Sequence, residues 1–574
     1  MLGPGEAVLA TNRRKGDRSL EKYLPVGYFA LVLAIVLVVL PSVLRQQPPT
    51  QNNTEALSPN APNNHQTSII AALHAASSGT AGIGNGIGNQ GPPGLGGNGP
   101  GGGGASNVPR SCPFGFGNPP RQTFSVYSAP CAAAWHGNNG GATYQGVTDD
   151  TVRIAVGDPD TGWGTDGPVP TTVTSNESAG ERTLTVIQDW LNSRYQFYGR
   201  RLQFYLVNGS ETPSNEVAAA DEAADEWHVF GGAEGREATM TEFARQKMVD
   251  FGDTIDQLPA SYYNSHDPWL YGIGMDSTEL SQLDAEMICK QLWGRNASYA
   301  GDPTMQTQKR KLGLMILDDG SYSQVQGMMQ QDMAQDCGAS FAAVVGFHSS
   351  TVVGAEGDQQ ATATAVAKMR AAGVTTVVSA IDWVTAIAVT NEAAGEGYVP
   401  EWYYSGAGSI DNNGTSRDQN QTEWGHAFGV TSFEIPRPLQ DTDCYRVYVS
   451  IDPSNTPDSL VCSNHFFEYV EIANAIQQAG PHLTPQTFQQ GLFSMGIRPP
   501  NPNWSIGGGF GPDHHSYADV VSIIWWNPSA TAVDGNAGSW EYVENGARYA
   551  PGQIPTGDLG LFKSGITQAP SDTG

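Results

Sequence analysis

The sequence predicts an α/β fold of two lobes, each a parallel sheet flanked by helices. Strand and helix patterns alternate from Val152 to about Gly408. Within this stretch, residues 311–347 show a strand (KLGLMILDD), a turn, a helix ended by Gly338 and a second strand (SFAAVVGF). Such a βαβ unit implies parallel strands joined by a right-handed crossover. The alternation is long for one sheet, so we expect two lobes.

The length and composition of the chain limit the classes of function that it can have. The chain has 574 residues and a formal charge of −28, enough for two or more domains plus tails. The acidic balance argues against nucleic acid as a partner, because phosphate binding needs clustered Lys and Arg. The simplest interpretation is that the charge keeps an exported domain soluble.

A membrane segment is predicted near the N-terminus. Residues 24–44 form an apolar run, and five basic residues precede it. About 20 apolar residues span a bilayer, and the basic flank should stay in the cytoplasm. We therefore expect a cytoplasmic tail at 1–23, an anchor at 24–44 and an extracytoplasmic remainder on the cell membrane. A cleaved signal peptide is the alternative; the long run, with no small-x-small site directly after it, favours an anchor.

A tether rich in Gly, Pro and Asn is predicted at 45–110, because this composition cannot bury a core. It contains GIGNGIG, which satisfies a G-x-G-x-x-G pattern. Neither a preceding strand nor a following amphipathic helix supports a dinucleotide site. The chain has no HExxH, no G-x-S-x-G after a strand and no P-loop lysine motif. We expect no catalytic residue and no cofactor.

Six cysteines lie beyond the predicted anchor, and disulfides are the default for exported proteins. Six cysteines allow about 15 connectivities. The absence of C-x-x-C argues against a zinc or thioredoxin-type site. The simplest pairing joins nearest neighbours: Cys112 with Cys131, Cys289 with Cys337, and Cys444 with Cys462.

The remaining elements follow from periodicity. The first strand is predicted at Val152–Gly157, and later strands in RLQFYLV, WHVFGGAEG, VTTVVSAIDW, EWYYSG and ADVVSIIWW. Helices are predicted at 178–195, 215–226, 239–250, 279–293, 361–372, 386–395, 464–479 and 485–493.

These segments, in this order, resemble the type I periplasmic binding proteins, the fold of the branched-chain amino acid binding proteins. GVTDDTVRIAVGDPDTG looks like that family's first strand and loop, and LNSRYQFYGRRLQFYLVN like its next helix end, turn and strand. KLGLMILDDGSYSQ and DCGASFAAVVGF resemble the first unit of its second lobe. VAKMRAAGVTTVVSAIDW, NEAAGEGYVPEWYYSG and FGPDHHSYADVVSIIWW resemble later units. The resemblance runs from about Gly146 to Trp526.

The resemblance implies two lobes joined by three interlobe crossings, with a ligand between them. Mapped onto this chain, it implies lobe 1 at 144–275 and 404–505 and lobe 2 at 276–403 and 506–545. We expect a cysteine-containing lead-in at 111–143 before them and, from its Gly-rich acidic composition, an irregular tail at 546–574.

The ligand contacts should come from loops at the carboxyl ends of the strands. By resemblance, Ser261 would hold a carboxylate, Tyr322 takes the place of a family tyrosine, and Asp382 or Glu234 would pair with an ammonium group. The aromatic residues in these loops suit a sugar, an aromatic or a cationic ligand. The plainer interpretation is that half of these side chains only pack against neighbouring loops. The predicted ligand-binding residues are Asp160, Trp163, Ala233, Glu234, Ser261, Tyr262, Tyr322, Asp382 and Trp383.

The run Asp513-His514-His515 contains metal-ligand residue types. Adjacent side chains of an extended segment point to opposite faces, so the two histidines converge poorly. We therefore predict no metal site from this run.

The resemblance implies a solute-binding protein, and the anchor predicted at 24–44 would tether it to the membrane. It would capture a small polar ligand, such as an amino acid or an amide, and deliver it to an ABC permease. One alternative is a receptor ectodomain of the same fold, which the short cytoplasmic tail disfavours. A second alternative is an enzyme on this scaffold.

Overall fold

Two sheets carry the fold in the computed structural model, which describes residues 121–157, 166–207, 212–252, 258–318, 320, 324–349, 359–500 and 505–570. The first sheet has the order β2-β3-β1-β4-β5-β6. Its strands are parallel except β2, which pairs antiparallel with β3. The strands are β1 (Thr151–Val156), β2 (Gly167–Pro168), β3 (Arg201–Leu206), β4 (Gly231–Gly235), β5 (Val249–Gly252) and β6 (Leu270–Gly272).

Seven helices belong to the first lobe among the described residues. Four lie between or beside its strands: α1 (Ala179–Arg194), α2 (Pro213–Asp225), α3 (Glu237–Arg245) and α4 (Ala260–Ser265). The other three come from much later in the chain, within residues 443–494. The later helices bring Tyr469 and Phe488 into one core with Phe204 and Phe251 of the sheet.

The second sheet has the order β13-β12-β11-β10-β9-β7-β8, with β14 paired to β12. Strands β7 to β11 are parallel, whereas β12, β13 and β14 run antiparallel to their neighbours. The strands are β7 (Leu312–Leu317), β8 (Phe341–Phe347), β9 (Thr376–Ala380), β10 (Glu401–Tyr404), β11 (Ala427–Thr431), β12 (Val521–Thr531), β13 (Ala537–Tyr542) and β14 (Arg548–Tyr549).

Helices cover both faces of this sheet, which explains why β7 is buried along its whole length. Leu314 faces one core and Met315 the other. The helices are α5 (Ser277–Met287), which continues as a wider turn at Ile288–Leu292, α6 (Pro303–Gln306), α7 (Val325–Cys337), α8 (Gln359–Ala371), α9 (Trp383–Gly395), α10 (Asn413–Asp418) and α11 (Gln421–Trp424). The three late helices of the first lobe are α12 (Asp443–Ile451), α13 (Phe466–Ala479) and α14 (Pro485–Ser494).

The two-lobed α/β prediction is confirmed by these sheets, and the βαβ unit of residues 311–347 is β7-α7-β8. Gly338 ends α7 with φ at +69°, as its position in the sequence predicted. The helix predicted at 239–250 is wrong at its end. It stops at Arg245, and Val249–Gly252 is a buried strand, because Lys247 at φ +62° turns the chain between them.

Among the described residues, the chain passes between the lobes in three stretches: 273–276, 432–442, and a third that comprises 495–500 and 505–520. The family resemblance implies the second passage at residue 404, whereas the structure places it after Thr431. The difference arises because the short segment AFGVT, in which the sequence pattern predicts no strand, is β11 and pairs with both β10 and β12. A strand held on both sides by the second sheet keeps its neighbours in the second lobe.

Within the described residues 546–570, the C-terminal tail has only the short β14 as regular secondary structure, yet it packs closely against the second lobe. Ile554, Leu559 and Leu561 are buried in that lobe's core. The Glu286 carboxylate of α5 accepts hydrogen bonds from the backbone N–H groups of Gly552 and Ile554. The tail is therefore irregular but is part of the domain.

Two predicted disulfides are present, Cys289–Cys337 and Cys444–Cys462. Cys131 is also disulfide-bonded, and its predicted partner Cys112 lies outside the described residues. The predicted anchor at 24–44 and the tether at 45–110 lie outside them as well. Within the part of the chain that the structure describes, no helix has the length and hydropathy to cross a bilayer.

A buried carboxyl group in the second lobe makes stability depend on pH. Asp411 accepts hydrogen bonds from the hydroxyls of Tyr404 and Thr431, and its burial raises its pKa to about 7. A carboxyl pKa that is higher in the folded chain stabilises the fold below the unfolded pKa. This stabilisation is lost as pH rises through the folded pKa.

We therefore expect the Tm to fall between about pH 5 and about pH 8, and to fall less in Asp411→Asn, which cannot lose a proton. Thermal unfolding of both proteins across this range measures the difference. Asp534→Asn, which alters a carboxyl whose pKa is lowered, is the control. An identical pH dependence in wild type and Asp411→Asn would contradict the prediction.

Candidate functional site

A pocket lies at the carboxyl edge of the first sheet, where parallel α/β sheets hold their ligands. The ends of β1, β3 and β4 form its floor, and α2 and α3 form its walls. Because β4 ends in glycine, its backbone can lie close to its neighbours: a Cβ on Gly235 would be 1.8 Å from Asp250 Oδ2 of β5 and 3.1 Å from Met240 Cγ of α3. The lining residues are Ala155, Val156, Gly157, Val207, Glu216, Ala219, Ala223, Ala233, Gly235, Arg236, Thr239 and Phe243.

Opposite charges stand in the walls of this pocket. Glu216 lies in the first turn of α2, and Arg236 is the residue directly before α3. Glu216 is 4% exposed and Arg236 is 7% exposed. Thr239 adds a hydroxyl, and the other lining residues are apolar or glycine. The cavity is small, about 40 Å³, so its carboxylate and guanidinium suit charged or strongly dipolar groups of a ligand that extends beyond it.

The two lobes meet beside this pocket. Glu237, next to Arg236, begins α3 of the first lobe, and Gly320 follows β7 of the second lobe. A Cβ placed on Gly320 would lie 2.5 Å from Glu237 Oε2, and Gly320 has φ at +56°. Loops at the carboxyl edges of the two sheets therefore approach each other, as expected for lobes that close over a ligand.

The structure places part of the predicted ligand set at this edge. Ala233 lines the pocket. The Tyr262 hydroxyl lies 2.8 Å from Thr241 Oγ1 and donates to the carbonyl oxygen of Glu237 at 3.2 Å. Ser261 is exposed in the first turn of α4. Tyr262 thus supports the residue that reaches the second lobe.

In the second lobe, Asp382 and Trp383 lie where β9 gives way to α9. Asp382 caps the helix: its Oδ1 accepts from the backbone N–H of Thr385 and its Oδ2 from the Thr385 hydroxyl, both at 2.9 Å. Trp383 is half-buried and packs against the lobe's core. A ligand contact by either residue stays a prediction.

Three predicted ligand residues, Asp160, Trp163 and Tyr322, lie outside the described residues, as does the side chain of Glu234. Glu216 and Arg236 were missed by sequence reasoning. Arg236 follows the glycine-rich strand end GGAEG directly, so its position was a usable signal. Glu216 had no such signal, because an acidic residue in a first helical turn is common for dipole reasons alone.

The chain matches no family model and no curated protein. Its fold is similar to several solved structures at low identity. A leucine-, isoleucine-, valine-, threonine- and alanine-binding protein of Brucella ovis has 11% identity and a TM-score of 0.49, over 71% of this chain and 98% of that one. A leucine-binding protein of Thermotoga maritima has 14% identity and a TM-score of 0.47, over 70% of this chain and 100% of that one.

A third structure is the solute-binding protein of an ABC transporter from R. palustris, in complex with 4-hydroxybenzoate. It has 11% identity and a TM-score of 0.44, over 74% of this chain and 99% of that one. By its own strand order and its three crossings, the chain has the two-lobed fold that its sequence resemblance to type I periplasmic binding proteins implies.

Proposed function

We propose that this protein is an extracytoplasmic solute-binding protein, held at the cell membrane by the helix predicted at 24–44. It captures a small polar ligand between its lobes and delivers it to an ABC permease that recognises the closed form. The approach of Glu237 to Gly320 across the lobes carries this proposal. A ligand that contacts both lobes shifts the balance between open and closed forms by its differential affinity.

The pocket at the first sheet narrows the ligand class. A guanidinium binds a carboxylate through two parallel hydrogen bonds, which suits Arg236. Glu216 offers a carboxylate to an ammonium or amide group. An amino acid or a related zwitterion carries both groups at a short spacing, so amino acids and small amides are the first ligands to test.

A thermal unfolding screen of the full-length protein tests the proposal. Amino acids, small amides, sugars and polyamines are added one at a time. A ligand present at about 100 times its dissociation constant stabilises the fold by about 2.7 kcal/mol. We expect one chemical class to raise the Tm. A folded protein that responds to no class would argue for a protein partner in place of a small solute.

The ligand found in this screen should depend on Arg236. We expect Arg236→Lys to weaken its binding at least tenfold, about 1.4 kcal/mol, because an ammonium cannot reproduce the two-pronged contact. Arg201→Lys is the matched control, since Arg201 is exposed at the opposite end of the same sheet. Calorimetric titration measures both. Equal affinity in wild type and Arg236→Lys would remove Arg236 from the site.

A further inference from the structure

A second cluster of polar side chains lies at the hinge, away from the pocket described above. Asp276 ends the first crossing and caps α5, and Glu279 lies in the first turn of α5. His514 and Asp519 belong to the third crossing. These segments meet because the two crossings run side by side: Gly272 N–H donates to the His515 carbonyl at 2.8 Å, and Tyr517 N–H donates to the Gly272 carbonyl at 2.9 Å.

The geometry of the cluster fits a metal ion. Asp276, Glu279 and His514 each offer one ligand atom, and these atoms all lie within 4.8 Å of one another. The set combines two carboxylates with one imidazole, so it discriminates between metal ions more than a surface group of acidic residues would. His515 does not join it, because its Nε2 lies 3.6 Å from Asp267 Oδ1 instead.

Surrounding contacts hold two of the candidate ligands in place. Asp276 Oδ1 accepts from the backbone N–H groups of Thr278 and Glu279, and its Oδ2 accepts from the Ser516 hydroxyl at 2.7 Å. His514 Nε2 lies 2.5 Å from Asp519 Oδ1. A carboxylate paired to a histidine ring is the arrangement that orients metal-binding histidines.

The cluster contains more acidic than basic side chains, which favours the binding of a cation. A pocket opens onto it, and none of the described residues that line the pocket is Lys or Arg. The lining residues are Ala260, Asp276, Thr278, Glu279, Gln282, Ile497, Asp513, His514 and Asp519. Four carboxyl groups thus share a partly buried space with one imidazole.

We propose that Asp276, Glu279 and His514 bind a divalent transition-metal ion, with Asp519 as the residue that positions His514. Imidazole suits ions such as Zn²⁺, which also accepts carboxylate oxygen, whereas Ca²⁺ and Mg²⁺ prefer oxygen ligands throughout. The ion would join the first crossing and α5 to the third crossing. It would therefore brace the hinge between the lobes, independently of any solute.

Calorimetric titration of the full-length, chelator-treated protein in mild detergent tests this site, with ZnCl₂ as the probe and MnCl₂, CaCl₂ and MgCl₂ for comparison. We expect saturable binding of one Zn²⁺ per chain and a higher Tm in its presence. Ca²⁺ and Mg²⁺ should bind more weakly. No saturable Zn²⁺ binding, or tighter binding of Ca²⁺, would overturn the proposal.

Variants then locate the ion. Glu279→Gln and His514→Gln should each weaken Zn²⁺ binding at least tenfold, and Asp519→Asn should weaken it by about 10- to 100-fold. His136→Gln removes an exposed histidine elsewhere and should change nothing. Glu279→Gln keeps the size and shape of the side chain. It therefore still tests whether this cluster binds Zn²⁺ if His514→Gln fails to fold. Unchanged affinity in Glu279→Gln would refute the assignment.

Discussion

Arg310→Ala should lower the free energy of unfolding by about 3–5 kcal/mol, because it leaves a buried carboxylate without its counter-charge. Arg310 precedes β7 and pairs with Glu401, the first residue of β10. Its Nε donates to Glu401 Oε2 at 2.7 Å and its Nη2 to Oε1 at 2.8 Å. The two side chains are 2% and 0% exposed.

The loss of stability should be large because water cannot take the place of the arginine beside the buried Glu401 carboxylate. Its remaining hydrogen bonds come from the backbone N–H of Tyr299 at 2.9 Å and the Thr376 hydroxyl at 2.6 Å. These neutral donors leave the charge uncompensated inside the second lobe. Urea unfolding of the full-length protein at neutral pH measures the change.

Two further variants make the test specific. Arg370→Ala breaks an exposed ion pair with Glu396, 3.3 Å long, and should cost at most about 1 kcal/mol. The double variant Arg310→Met with Glu401→Gln removes both charges and should recover part of the loss. A cost for Arg310→Ala no larger than that for Arg370→Ala would contradict a buried, ionised pair.

Removing the disulfide Cys289–Cys337 should cost about 4 kcal/mol in the chain-entropy model. The bond joins the turn that extends α5 to the last residue of α7, and it closes a loop with a sequence separation of 48. Without it, the unfolded chain gains the freedom of that loop. The Cys289→Ala, Cys337→Ala double variant, unfolded in guanidinium chloride, measures the effect.

The second bridge provides the control. Cys444–Cys462 closes a shorter loop, with a separation of 18, so its removal should cost about 3 kcal/mol. The two losses of stability should also affect different lobes. Cys289–Cys337 lies in the second lobe, whereas Cys444–Cys462 joins α12 to the turn before α13, on the first lobe. A greater loss from the shorter loop would show that loop entropy is not the controlling term.

Local patterns were sufficient for much of the fold. The apolar run of β7, the helical spacing of α7 and its ending at Gly338 are set by neighbouring residues, and the structure agrees with them. Strand β11 was missed because AFGVT is short and has no distinctive period. Only its pairing with β10 and β12 makes it a strand.

The candidate sites likewise have parts that the sequence predicts and parts that only the structure shows. A position at a strand end can be predicted from sequence, and Ala233 lies at the pocket; its contact with a ligand stays a prediction. Glu216 and Arg236 converge there through the packing of α2 and α3, which the sequence does not show. The hinge cluster depends on still longer contacts, since more than 230 positions separate Asp276 from His514.

By itself, the sequence determined the alternation of strands and helices, the division into two lobes and the four cysteines that form two described bridges. These properties depend on hydrophobic period, glycine position and order along the chain. The tertiary structure alone decided where the second crossing lies, which charges share a pocket and which histidine faces Asp276. Such properties depend on contacts between segments that are distant in the chain, and no local pattern in a single sequence shows those contacts.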